Sequence, residues 1–226
     1  MELKLAKSFL YYRLAGILIL VFLSQSLQAH VVVNELSKMP KRDAALLYLS
    51  LGYRHILPLG FDHILFILSL FLLSPKLKPV LWQATAFTVA HSITLGLAMY
   101  SVIRVPSAVV EPIIAISIMY VALENIFSPK LKSSRIGVVF LFGLVHGMGF
   151  ASVLTNLGLP KNSYVLCLLM FNIGVELGQI TVILTAYFTL ARFWGSKLYY
   201  RKYIIVPMSV IITTIAAYWT VQRLFF

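Results

Sequence analysis

Gly60-Phe61-Asp62-His63-Ile64-Leu65-Phe66-Ile67-Leu68 sets an ionisable pair at the mouth of a run that is otherwise hydrocarbon. The pattern recurs downstream, with His91 in Thr85-Ala86-Phe87-Thr88-Val89-Ala90-His91-Ser92, His146 in Phe142-Gly143-Leu144-Val145-His146-Gly147-Met148-Gly149 and Glu176 in Phe171-Asn172-Ile173-Gly174-Val175-Glu176-Leu177-Gly178-Gln179. A charge at the centre of a membrane helix costs roughly 2.5–3.5 kcal/mol on insertion scales, so such residues are functional candidates by default. The economical reading is that they partner one another around a cation.

The composition agrees. Of 226 residues, 60% are hydrophobic and 12% charged, with a mean hydropathy of +0.91, which excludes a soluble globular chain. The net charge of +12 sits between apolar runs, as membrane-flanking charges do, so no nucleic-acid partner is expected; the partner is the lipid bilayer. The single cysteine, Cys167, lies inside an apolar run and is given no role.

Lys4, Lys7 and Arg13 precede the apolar run Leu14 to Leu23 and the polar segment ending at Ala29. That order predicts a signal peptide over 1–29. Residues 30–56 are expected outside the membrane, with 43–53 as an interfacial helix, and 57–226 as the transmembrane domain. Apolar runs bounded by turn signals predict six helical spans near 57–73, 80–103, 107–127, 135–155, 163–191 and 203–225. The fold class is therefore an all-α polytopic helix bundle. Lys76, Lys78, Lys130, Lys132, Arg135, Arg192, Lys197, Arg201 and Lys202 fall in the odd loops, against Arg104, Lys161 and Arg223 in the even loops and C-terminal end. The positive-inside rule then puts both mature termini outside and the chain in the bacterial inner membrane.

On that topology Asp62 and His63 are expected at the outer mouth, and His91, His146 and Glu176 near the midplane. Helical spacing puts Asn172, Glu176 and Gln179 on one face, and Thr85, Thr88 and either His91 or Ser92 on another. Gly143 and Gly147 frame His146, and Gly174 and Gly178 frame Glu176, which predicts that both side chains sit at close helix contacts. Glu111 is a weaker pathway candidate, Glu124 reads as structural or solvated, and His55 as interfacial. Imidazole with carboxylate suits a borderline divalent metal such as nickel, cobalt or zinc. The candidate metal residues are Asp62, His63, His91, His146 and Glu176, with Asn172, Gln179, Glu111 and Thr88 beside them. No permanently bound cofactor is expected, only a transported ion.

Gly-x-Asp-His-Ile-Leu-Phe at 60–66, Thr-Ala-Phe-Thr-Val-Ala-His-Ser-Ile-Thr-Leu at 85–95, Val-Glu-Pro-Ile-Ile-Ala-Ile-Ser-Ile at 110–118, Val-Ala-Leu-Glu-Asn at 121–125, Phe-Gly-Leu-Val-His-Gly-Met-Gly-Phe-Ala at 142–151 and Phe-Asn-Ile-Gly-Val-Glu-Leu-Gly-Gln at 171–179 together resemble the HupE/UreJ family. The resemblance implies a nickel or cobalt permease, not an enzyme, linked to hydrogenase or urease metal supply and to a metallochaperone or enzyme-maturation partner. The family's better-studied nickel permeases place a His followed by Pro five residues before the Asp-His pair and an acid after the His-Gly pair. This chain has His55 and Pro58, and Met148-Gly149-Phe150, in those places. The rival readings are a membrane accessory that holds metal without transporting it, and an intramembrane metal or haem enzyme.

Overall fold

The computed structural model describes residues 39–74, 76–128, 130–157, 163–192, 195 and 199–226; the expected signal peptide lies outside them. Among the described residues seven α-helices run α1 Lys41–Ile56, α2 Phe61–Leu73, α3 Leu77–Met99, α4 Ser107–Phe127, α5 Arg135–Leu157, α6 Tyr164–Ala186 and α7 Val206–Phe225. Single π-helical turns extend α6 over Tyr187–Ala191 and lead into α7 over Arg201–Ile205. Among the described residues there is no strand, as a backbone without water to satisfy it requires.

Among the described residues four helices are long and apolar enough to cross a membrane: α3, α4, α6 with its π turn, and the π turn that leads into α7 with α7 itself. A fifth crossing arises if α1 and α2, bent by 66° at their junction, are taken as one broken span, while α5 is apolar over the shorter stretch Arg135–Ala151. The run expected to be the first span, 57–73, is thus a 13-residue helix preceded by a break. At a rise of about 1.5 Å per residue it covers only about 20 Å of a hydrocarbon layer about 30 Å thick.

The expected interfacial segment, 43–53, falls within α1, which buries Ala44, Tyr48, Gly52 and Ile56. Four-residue spacing puts these on one stripe, and the stripe packs along α6. A Cβ on Gly52 would strike the carbonyl of Phe171, one on Gly174 would come within 2.8 Å of the Tyr53 nitrogen, and one on Gly178 within 2.7 Å of Ile56 Cβ. Rising numbers on α1 meet rising numbers on α6, so the two helices run parallel. The chain therefore descends along α6 before α2 begins.

α3 and α5 make the second close pair. A Cβ on Gly143 would lie 2.6 Å from the Phe87 carbonyl oxygen, and one on Gly147 would strike the carbonyl of His91. These glycines bring α5 down onto the backbone of α3, as the small-residue spacing predicts. α4 packs on α7 and closes the other side of the bundle.

Candidate metal site

The break between α1 and α2 builds the site. Ile56 ends α1, the Leu57–Pro58 peptide is cis, and Gly60 precedes α2. Gly60 passes so close over His55 that a Cβ there would strike the His55 carbonyl, so only glycine fits. The turn leaves His55 on the last helical turn of one helix and His63 on the first turn of the next, their ring centroids 4.6 Å apart. His91, from the middle of α3, completes the group, with its ring 6.1 Å from that of His55 and 6.2 Å from that of His63. One ligand nitrogen from each of His55, His63 and His91 lies within 4.8 Å of the other two.

His63 and His91 are buried; His55 Nε2 and His63 Nε2 lack a hydrogen-bond partner, and neither ring nitrogen of His91 makes a close one, Asn172 being the polar side chain that interacts with that ring. Buried polar atoms without partners are uncommon and costly. Three sets of them converging on one point are what a cation would satisfy. Metal–imidazole bonds of about 2.1 Å put bound ligand nitrogens no more than about 4.2 Å apart, a spacing that nitrogens within 4.8 Å of one another reach with small side-chain movements at most. Phe150 lies against His55 with centroids 3.9 Å apart, and Phe87 stacks beside His91 at 6.1 Å. These rings supply apolar walls beside His55 and His91.

His146, the twelfth residue of α5, stands 5.3 Å from His63, ring to ring. Its Nε2 is 3.0 Å from Ser117 Oγ, while the Ser117 hydroxyl donates to the Ile114 carbonyl at 2.7 Å. A hydroxyl has one proton, so with that proton on Ile114 the imidazole donates from Nε2 and leaves Nδ1 as a lone-pair acceptor. His146 Nδ1 has no partner. It is a fourth potential ligand, one ring away from the three.

The expected carboxylates lie elsewhere. Asp62 accepts from Arg223 Nη2 at 2.8 Å, and Glu176 accepts from the Thr85 hydroxyl at 2.7 Å. Thr88 donates to Gln179 Oε1 at 3.1 Å, so the two predicted polar stripes do meet, as a seam between α3 and α6 beside the histidines. Asn172 on that stripe donates to the Leu168 carbonyl at 2.8 Å and leaves its Oδ1 without a partner. His63 lies beside His91 and His146, both in the interior of 23-residue helices. His55, read as interfacial, is a member of the cluster. The signal for it was the Ala44-Tyr48-Gly52-Ile56 row, which marks the preceding segment as a packed helix.

Above the cluster a cavity of about 790 Å³ is lined by His55, His63 and His146 together with Arg54, Asp62, Glu111 and Arg223. At the far end Arg135, 1% exposed, pairs with Glu124 at 3.2 Å and donates to Asn125 Oδ1 at 2.9 Å and the Ser69 carbonyl at 3.2 Å. Arg135 therefore ties α2, α4 and α5 together, and the structural reading of Glu124 finds its partner in it.

A family model described as HupE / UreJ protein matches residues 29–223. The chain belongs to the HupE/UreJ family. No curated protein and no solved structure matches it. The HupE/UreJ family is generally linked to nickel and cobalt uptake and is a transporter and accessory family, not one known for enzymes. In this HupE/UreJ chain the matched region contains every histidine of the cluster and both helices of the broken pair.

Proposed function

We propose that this HupE/UreJ chain is a permease that passes a borderline divalent metal ion, nickel or cobalt, inward across the bacterial inner membrane. The observation that carries this reading is the convergence of three imidazoles with unpartnered nitrogens from α1, α2 and α3, two of them buried and His55 half-buried. Neutral nitrogen ligands favour nickel, cobalt and zinc over magnesium or calcium, which take oxygen. Counting α1–α2 as one broken span and α5 as another gives six crossings, with the cavity on the outer side. The ion enters through the cavity, rests at His55, His63 and His91 with His146 in reserve, and leaves along the polar seam of Thr88, Gln179, Thr85 and Glu176. The sequence contains no ATP-binding Gly-x-x-x-x-Gly-Lys-[Ser/Thr] loop, so flux follows a gradient.

A second reading is favoured by the Arg135–Glu124 network, which closes the opposite end of the bundle. It makes the chain an accessory that holds metal at the membrane for a maturation partner. Radioactive nickel uptake into proteoliposomes separates the two: time-dependent accumulation abolished by His91→Ala supports the permease. Binding to folded protein without accumulation for nickel or cobalt overturns it in favour of the accessory.

A further inference from the structure

The cavity above the cluster is poorly matched to a bare ion. Six waters at about 30 Å³ each make an aqua ion of roughly 200 Å³, against a cavity of about 790 Å³. Its charge is wrong as well. Mouths that collect free cations present rings of carboxylates, whereas here Asp62 and Glu111 are matched by Arg54 and Arg223. Arg223 already holds Asp62 at 2.8 Å and the Glu111 carbonyl at 3.1 Å, and its guanidinium lies 5.4 Å from the Trp219 ring. Arg54 makes no ion pair among the described residues and is exposed to the cavity.

The cluster has the complementary deficit. Three neutral imidazoles leave both charges of a divalent ion uncompensated among aromatic walls, and uncompensated charge in such surroundings is costly. Asp62 and Glu124 are held by arginines, Glu176 is bonded to Thr85 through one oxygen with Oε2 unpartnered in the α3–α6 seam, and the Glu111 carboxylate shares the cavity lining with Arg54 and Arg223. A ligand that brings its own negative charge meets both deficits.

We propose that the cavity receives the metal as a small carboxylate chelate, with Arg54 gripping a carboxylate while the neighbouring His55 and its partners take the ion. The inference rests on the reading of the imidazole cluster as a metal station. Arg54 and His55 both line the cavity, so a carboxylate on the guanidinium holds the chelated ion in the same space as the first imidazole. The guanidinium fork matches a carboxylate with two parallel hydrogen bonds. The imidazoles displace chelator oxygens from a borderline metal because nitrogen is the better donor for it.

Equilibrium dialysis of the full chain in detergent, against nickel and citrate carrying distinguishable radiolabels, tests this. The expected result is retention of citrate one to one with nickel, and none without nickel. Arg54→Gln is expected to lower citrate retention about tenfold or more, Arg54→Lys to restore part of it by charge, and Arg192→Gln, on the exposed end of the extended α6, to leave it unchanged. Nickel retained without citrate, or citrate retained equally by Arg54→Gln, overturns the chelate and leaves the metal station standing. Retention of neither label by folded protein overturns both.

Discussion

His55 and His63 face each other across the break between α1 and α2 with their rings 4.6 Å apart and inclined by 64°. Neither helix alone presents more than one of them, so the pair exists only because the chain bends by 66° between the two helices. His55→Ala should therefore weaken nickel binding as severely as His63→Ala or His91→Ala. Removing a ligand should cost more than the roughly 10–100-fold that changes around a ligand cost. Calorimetric titration of nickel into the purified chain measures it; a His55→Ala protein that binds like the parent would remove His55 from the site.

His146 should behave differently from the three. It lies outside the close group, and its Nε2 is engaged by Ser117 at 3.0 Å. His146→Ala is expected to weaken nickel binding by no more than about 100-fold. Ser117→Ala, which frees the ring to change tautomer, is expected to produce a smaller loss in the same direction. Equal losses for His146→Ala and His63→Ala in the same titration would make the site four-coordinate in imidazole.

The α3–α5 contact tolerates no added methyl at Gly147, where a Cβ would strike the carbonyl of His91 and the hydroxyl of Thr94. Gly147→Ala should cost about 1–3 kcal/mol, typical of overpacking, and should also weaken nickel binding by displacing His91 and His146. Gly137, on the same helix, has nothing within 4 Å of an added Cβ. Gly137→Ala should leave both stability and binding near the parent values. Thermal unfolding in detergent with a parallel nickel titration checks the contrast.

Arg135 is buried and holds Glu124, Asn125 and the Ser69 carbonyl together. Arg135→Met leaves the Glu124 carboxylate without its cation and should destabilise the chain by about 3–5 kcal/mol, the usual cost of breaking a buried pair from one side. Arg135→Lys should recover little, because an ammonium cannot reproduce the guanidinium fork. Adding Glu124→Leu to Arg135→Met should recover much of the loss. Unfolding midpoints of the three proteins give the answer; a double variant no better than the single one would contradict it.

Much of this architecture is legible in the sequence, because membrane helices announce themselves by apolar length. The matching stripes Thr85, Thr88, His91 and Asn172, Glu176, Gln179 are legible for the same reason that helical spacing is regular, and two of their hydrogen bonds form as that spacing allows. What partners a charge is less legible. Asp62 looks like a ligand beside His63, yet successive residues on a helix point about 100° apart, and its partner Arg223 lies 161 positions away. Gly174 and Gly178 seem to frame Glu176, but each is two residues from it and so faces away from it. They meet α1, while Glu176 turns to Thr85 on α3. His55 hides behind Arg54 in a segment with charges at both ends, and only the four-residue row of buried positions in α1 reveals that the segment packs into the bundle.

X-ray absorption spectroscopy of the cobalt-loaded chain asks most directly whether α1, α2 and α3 hold one ion between them. The account predicts a first shell with the outer scattering of three imidazoles, falling to two in each of His55→Ala, His63→Ala and His91→Ala. A first shell of oxygen alone, or an imidazole count untouched by His55→Ala, would contradict it.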